Sequence, residues 1–207
     1  MDIIIPLFPG FTALDAIGPY EVLSRLPGAT IKFAARVTGE IRSDVGSLGV
    51  SADFAFSEID RADILVVPGG PGARDLIGDD AMNEWVRAID RTTTWTTSVC
   101  TGSLVLASAG LLDGQPATTH WSAFETLAEL GAKPVSERVV FAGKRVTSAG
   151  VSAGIDMALG LAAKATSDDI ARVIQLGIEY DPDPPFKSGS LATAPEPIIA
   201  IARAALR

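Results

Sequence analysis

Thr96-Thr97-Ser98-Val99-Cys100-Thr101-Gly102-Ser103-Leu104-Val105-Leu106 sets a β-branched run directly against a helical pattern, with a cysteine at the junction. Thr94 to Val99 reads as a strand and 103 to 109 as a helix. A strand that passes into a helix within one turn thrusts the side chain at that turn out beyond the carboxyl end of the sheet. The backbone N–H groups that follow then point at whatever that side chain attacks. Gly102 permits the close packing such a turn demands. A helix N-terminus favours negative charge, so the position predicts a lowered thiol pKa and a raised thiolate fraction for Cys100. By residue type alone a lone cysteine is more often a small buried hydrophobe. The junction turns the reading towards a nucleophile.

Outward from this segment the chain alternates. Ile3-Ile4-Ile5 and Ile64-Leu65-Val66-Val67 are apolar at every position, which suits strands buried on both faces of a parallel sheet, and Thr30 to Val37 is a further strand candidate. Helical patterns are read at about 13 to 24, 81 to 90, 121 to 130, 153 to 164, 168 to 178 and 197 to 206. The alternation predicts βαβ units and a doubly wound α/β sheet. Val139-Val140-Phe141-Ala142 and Arg145-Val146-Thr147 flank a Gly143-Lys144 turn and predict a hairpin at the sheet's mixed edge. Asp181-Pro182-Asp183-Pro184-Pro185-Phe186 cannot sustain a helix. The stretch 181 to 190 is read as an extended surface arm, either a dimer contact or a linker to the last helix.

The 207 residues suit one α/β domain, 1–207, and a second would be cramped. A hydrophobic fraction of 47% against 20% charged residues supplies a buried sheet and is the opposite of a disordered composition. The net charge of -8, with no Lys or Arg cluster, argues against nucleic acid as a partner. The single cysteine excludes an intrachain disulfide and fits a reducing compartment. Met1-Asp2-Ile3-Ile4-Ile5-Pro6 has no cationic leader, and apolar stretches break well before the roughly 18 to 20 residues of a membrane span. The expectation is a soluble cytoplasmic protein, with no membrane partner.

Further site candidates lie at other strand ends. Pro68-Gly69-Gly70-Pro71-Gly72 ends a wholly apolar strand, and carboxyl ends of strands are where ligands bind in open α/β sheets. Gly69 and Gly70 are read as donors of an oxyanion or anion site, against the plainer reading of a tight turn. A thiolate that attacks a small electrophile still needs proton delivery and water activation. Asp15, a single acid among apolar residues at the start of the first helix, offers both. Helix-start electrostatics is the alternative, and the pattern alone leaves the two even. His120, the only histidine, follows Ala117-Thr118-Thr119, read as a short strand running into a helix. A hydrogen-bonded structural histidine is the plainer reading, although the strand end keeps it near the pocket.

Four segments, Ser98-Val99-Cys100-Thr101-Gly102, Val67-Pro68-Gly69-Gly70, Ala117-Thr118-Thr119-His120-Trp121 and Thr147-Ser148-Ala149-Gly150-Val151-Ser152-Ala153-Gly154-Ile155-Asp156, together resemble the ThiJ/PfpI superfamily, in the right order over nearly the whole chain. The resemblance implies a flavodoxin-like three-layer sandwich, with a mostly parallel sheet and helices on both faces. It also implies a dimer and a cysteine facing an acid from the first helix. Leu14-Asp15-Ala16-Ile17-Gly18-Pro19, Cys-Thr in place of Cys-His, and Glu179-Tyr180-Asp181-Pro182 with Pro184-Pro185-Phe186 look like the branch that hydrates isonitriles to N-substituted formamides.

That branch implies Cys100 as nucleophile, Asp15 as acid and base, and Thr101 orienting Asp15 or water through its hydroxyl. Amides of Gly70 and Thr101 would stabilise developing charge. Sulfur would add to the isonitrile carbon while nitrogen takes a proton, giving a thioimidate, with no metal and no organic cofactor. Protease-like members carry histidine after the cysteine, where Thr101 stands here. Glutamine amidotransferases need a late His-Glu pair, and no histidine follows His120. Related regulators end in a helix-turn-helix region, for which a chain stopping at Arg207 is expected to have no room. An enzyme acting on glyoxals and a redox-sensing or chaperone-like protein remain as rivals.

Overall fold

The structure is a computed structural model, described over residues 1–205. In chain order its elements begin with β1 (Asp2–Pro6), α1 (Ala13–Leu23), β2 (Thr30–Ala35), β3 (Gly39–Arg42), β4 (Gly49–Ala52), β5 (Phe54–Ala55), β6 (Ile64–Val67), α2 (Gly72–Asp75) and α3 (Asp80–Asp90). The elbow follows as β7 (Trp95–Val99) and α4 (Gly102–Ser108), then β8 (Pro116–Ala117), α5 (Phe124–Glu129) and β9 (Lys133–Pro134). The chain finishes with β10 (Val139–Ala142), β11 (Arg145–Ser148), α6 (Ala153–Ala165), α7 (Asp168–Gly177) and α8 (Glu196–Ala205).

Seven strands form one sheet in the order β10-β11-β7-β6-β1-β2-β5. Every neighbouring pair is parallel except β10 and β11, so the hairpin is the mixed edge. β1 and β6 occupy the middle of the sheet with Ile3 opposite Ile64. Ile3, Ile4 and Ile5 are wholly buried, and each such side chain contributes about 1.5–3 kcal/mol of hydrophobic stabilisation. α1 and α6 pack on each other beside one face, while α3, α4 and α5 group on the other. This is the flavodoxin-like α/β sandwich.

β7 carries hydroxyls into the sheet interior, and those of Thr96 and Thr97 find partners there. Thr97 Oγ1 donates to Leu65 O at 3.0 Å, and Thr96 Oγ1 to Asp90 Oδ1 at 2.7 Å. Asp90 also receives Arg145 at 3.0 Å, and these partners hold its carboxyl below the usual range against the opposing effect of burial. α3 starts where Asp79 accepts the Met82 N–H at 2.9 Å, a side-chain N-cap.

Several elements differ from the sequence expectation. The helix read at 121 to 130 opens as a 3-10 turn at Trp121–Ala123, and only Phe124–Glu129 is α-helical, because His120 caps the turn by accepting the Ser122 N–H. The strand read before His120 shrinks to β8, which pairs with β9 in a separate two-stranded sheet. The β3–β4 hairpin carries no apolar run to announce it. It is held by backbone bonds onto the first loop, Gly10 N to Arg42 O at 3.0 Å and Asp44 N to Phe11 O at 2.9 Å. Residues 181 to 190 are exposed and irregular. The last helix is described through Ala205, and position 206, also read as helical, lies outside the described residues. Among the described residues, no helix is long and apolar enough to cross a membrane.

Candidate active site

Three strand-end turns converge: Pro9 to Thr12 after β1, Pro68 to Gly72 after β6, and Cys100 to Gly102 after β7. Their backbones come so close that side chains are excluded. A Cβ on Gly69 would lie 2.5 Å from Thr101 N, and one on Gly102 would lie 2.2 Å from Val67 O. The glycines read as donors are therefore, first of all, what allows these turns to touch.

Cys100 sits at the β7–α4 turn with φ 56, a left-handed conformation that costs a non-glycine residue on the order of 1–3 kcal/mol. The conformation is held from all sides. Cys100 N donates to Ser148 O and Ala149 O, both at 3.1 Å. Its carbonyl accepts Thr119 Oγ1 and Ser103 Oγ, both at 3.1 Å. Strain maintained this way aims the sulfur rather than leaving it to relax.

Asp15 is fully buried on α1. Its Oδ2 accepts the Gly69 N–H at 2.9 Å, while its Oδ1 has no directed hydrogen bond. Burial pushes the carboxyl from 3.8 up to about 7, opposed by the Gly69 N–H and by the facing Cys100 thiol and assisted by Asp44. Asp44 is fixed nearby by Thr12 Oγ1 at 2.7 Å, which leaves α1 without a side-chain cap.

The thiol corrects one expectation. Its pKa is pushed up to about 12, by burial first and by the charge of Asp15 second. N–H groups of Val151 and Thr101 face the sulfur and favour its ionised form, but do not prevail. With Cys100 only 5% exposed and α4 a short helix, desolvation outweighs the helix terminus. The resting pair is a protonated thiol beside a carboxyl that ionises near neutrality.

Gly70 and Thr101 also differ from expectation. The Gly70 N–H donates to Thr101 Oγ1 at 2.8 Å, and the same hydroxyl donates to Gly70 O at 3.0 Å. Gly70 therefore has no free amide for developing charge, and the Thr101 hydroxyl braces the glycine turn instead of orienting Asp15. The backbone N–H groups at the sulfur belong to Thr101 and Val151. Val151 escaped the sequence reading because any residue carries an amide, and its φ of 33 is invisible in a sequence. Replacing Thr101 with valine keeps the shape and strands a buried Gly70 N–H. Urea unfolding should show a loss of about 1–3 kcal/mol, and an unchanged midpoint would contradict the bracing role.

His120 caps its turn through Nδ1, which lies 2.8 Å from Ser122 Oγ. Its ring packs against Trp121, with centroids 5.2 Å apart. Burial and the charge of Arg74 lower its pKa, so the ring is neutral at pH 7. It lines a cavity of about 510 Å³, together with Thr119, Ala149 and Val151, the residues that hold the backbone of Cys100 or face its sulfur.

A cysteine on a strained strand-to-helix turn, backed by a buried acid from the first helix of a parallel α/β sandwich, is the architecture of a ThiJ/PfpI-type protein. Residues 1–164 match the DJ-1/PfpI family, and the chain belongs to it. It is 42% identical over 197 residues to the isonitrile hydratase of Pseudomonas putida, an alignment covering 95% of this chain and 86% of that protein. A crystal structure of a THiJ/PfpI family protein from Pseudomonas syringae matches with a TM-score of 0.92 at 38% identity, covering 99% of this chain and 84% of that one. The HTH-type transcriptional regulator CdhR of Pseudomonas aeruginosa is 32% identical over 172 residues, but only 51% of its length is covered.

Proposed function

We propose that this protein is a cysteine-dependent hydro-lyase that converts an isonitrile, R-NC, to the formamide R-NH-CHO. The observation that carries the proposal is the pairing of Cys100 with Asp15, whose carboxyl titrates near pH 7 and can both take and return a proton. The likeness to the Pseudomonas putida isonitrile hydratase supports the choice of substrate.

In the first step Asp15 accepts the thiol proton as sulfur bonds to the terminal carbon. One π pair of the carbon–nitrogen triple bond becomes the nitrogen lone pair, and the carbon, which keeps its own lone pair, takes the proton from Asp15, giving the thioimidate R-N=CH-S-Cys100. The resemblance implies that this first proton goes to nitrogen. Valence counting sends it to carbon, since the product's formyl hydrogen has to be acquired there and nitrogen is protonated only later.

In the second step Asp15 deprotonates a water that adds to the carbon as the C=N π pair moves to nitrogen, and Asp15 passes that proton on to the nitrogen. Collapse breaks the C–S bond, sulfur leaves as thiolate and recovers its proton through Asp15, and the formamide departs. Atoms balance as R-NC plus water, and no metal or organic cofactor takes part. N–H groups of Thr101 and Val151 favour the thiolate at both ends of the cycle.

A thiol near 12 holds very little thiolate at neutral pH, which favours base-assisted catalysis over peroxide sensing. The proposal takes residues 1–207 as one catalytic domain, with Gly69, Gly70 and His120 shaping its site, acting as a cytoplasmic homodimer. The exposed Leu176 and Ile201 on α7 and α8 suit a subunit contact. Turnover of benzyl isonitrile to the formamide, run beside methylglyoxal, tests the reaction. Formation of a 2-hydroxy acid from methylglyoxal with no formamide would replace the proposal with the glyoxal reading.

A further inference from the structure

The start of α1 carries the pattern of a capping box that the fold does not close. In Thr12-Ala13-Leu14-Asp15 the hydroxyl at the helix start would accept the Asp15 N–H, and the Asp15 carboxyl would turn back to the Thr12 N–H. Each of these groups is engaged elsewhere. The Thr12 N–H donates to Gly69 O at 2.8 Å, and the Asp15 N–H to Thr12 O at 3.0 Å. Asp15 Oδ2 takes the Gly69 N–H at 2.9 Å, and the Thr12 hydroxyl donates to Asp44 Oδ2 at 2.7 Å. Asp44 is itself fixed. Its N–H donates to Phe11 O at 2.9 Å and its Oδ1 accepts the Val45 N–H at 2.9 Å, while Gly10 N to Arg42 O ties the hairpin that bears it to the first loop. Residues three apart on a helix share a face, so the carboxylate held on Thr12 lies about one turn from Asp15.

We propose that Asp44 is a positioning residue for Asp15: from the β3–β4 hairpin it draws the Thr12 hydroxyl off the helix end, leaves the acid directed at the Gly69 N–H and the sulfur, and holds a fixed negative charge beside it. The inference rests on the acid–base role proposed for Asp15 and adds a residue that governs it. Burial does most to raise the Asp15 carboxyl, and the charge of Asp44 acts in the same direction. The other titratable group facing Asp15 is the Cys100 thiol, from the β7–α4 turn. β6, which also packs on α1, carries no charge. α6 packs along α1 with its charges turned to other partners, Asp156 to Arg138 and Tyr180, and Lys164 to the Phe141 ring. The β3–β4 hairpin thereby gains a use in the site that its exposed sequence does not announce.

The test is the pH midpoint of Asp15, read in two ways. One is the rate of formamide production from benzyl isonitrile, and the other is carboxyl-carbon NMR of aspartate-labelled protein, with the Asp15 signal assigned by its loss in Asp15→Asn. Asp44→Asn removes the charge and keeps a hydrogen-bonding group for Thr12. Its midpoint should fall below the wild-type value near 7 by about 0.5–1 pH unit, as expected for unit charges one helical turn apart in partly screened surroundings, with the plateau rate retained. Thr12→Val releases Asp44 from the helix end and should lower the midpoint in the same direction. Asp53→Asn makes the same change of net charge at an exposed position between β4 and β5, and should keep the wild-type midpoint. An Asp44→Asn midpoint at or above the wild-type one, in a protein of normal melting temperature, would overturn the inference, as would an equal fall in Asp53→Asn. Should Asp44→Asn not fold, the Thr12→Val midpoint decides by the same criterion. Absence of formamide from every variant and wild type would remove the isonitrile reading alone, because the NMR midpoint still decides whether Asp44 governs Asp15.

Discussion

Cys100→Ala is expected to lose at least about 10³-fold in formamide production at every pH, because without sulfur there is no covalent path and water alone must attack the isonitrile. The substitution trims one atom from a 5% exposed site, and the turn itself is held by the Cys100 backbone. Loss of turnover with retained melting behaviour is therefore the expected pair of results. A Cys100→Ala protein working within a few-fold of wild type would show that sulfur is dispensable.

Asp15→Asn is expected to act on rate and stability in opposite directions. The carboxylate must be ionised to accept the thiol proton, so the wild-type rate should climb with pH through about 7 and level off above it. The amide, which cannot exchange protons, should cost about 10²–10⁴-fold on that plateau. Stability follows from the same titration. Asp15 titrates near 3.8 in the unfolded chain and about 7 in the fold, so between these values the folded state keeps a proton that the unfolded state has lost. Its contribution to stability is thus fully present below about pH 4 and is lost as pH rises through about 7. Asparagine carries no charge to bury, and the variant should overtake wild type above pH 7 by at most on the order of 4 kcal/mol. Melting curves at pH 5 and pH 8 read this directly. A variant whose advantage shrinks between those pH values would contradict a buried, destabilising carboxylate.

The sheet was legible because its central strands are apolar at every position. Ile3 to Ile5 and Ile64 to Val67 leave no other economical reading, and the β-branched run into Cys100 marks the third member of the centre. The β3–β4 hairpin was not legible, because its residues are largely exposed and its place depends on long-range backbone bonds such as Asp44 N to Phe11 O. Within the candidate site, Cys100 and Asp15 were visible as residue types at strand-to-helix junctions. Their electrostatics were not. Whether the helix terminus or burial governs the thiol depends on how closely the three turns pack, and that packing is a property of the assembled fold. Gly70 shows the same limit from the other side. Its glycine identity marks a tight turn, but that the Thr101 hydroxyl occupies its amide follows only from the folded packing of the turns.

The central claim is that sulfur bonds to the isonitrile carbon, and acid-quenched intact-protein and peptide mass spectrometry through the first turnover tests it most directly. The account predicts a transient species heavier by the mass of one isonitrile, located on the peptide containing Cys100 and absent from Cys100→Ala. Formamide accumulating through that turnover while the protein mass stays unchanged, or an adduct on another residue, would contradict it.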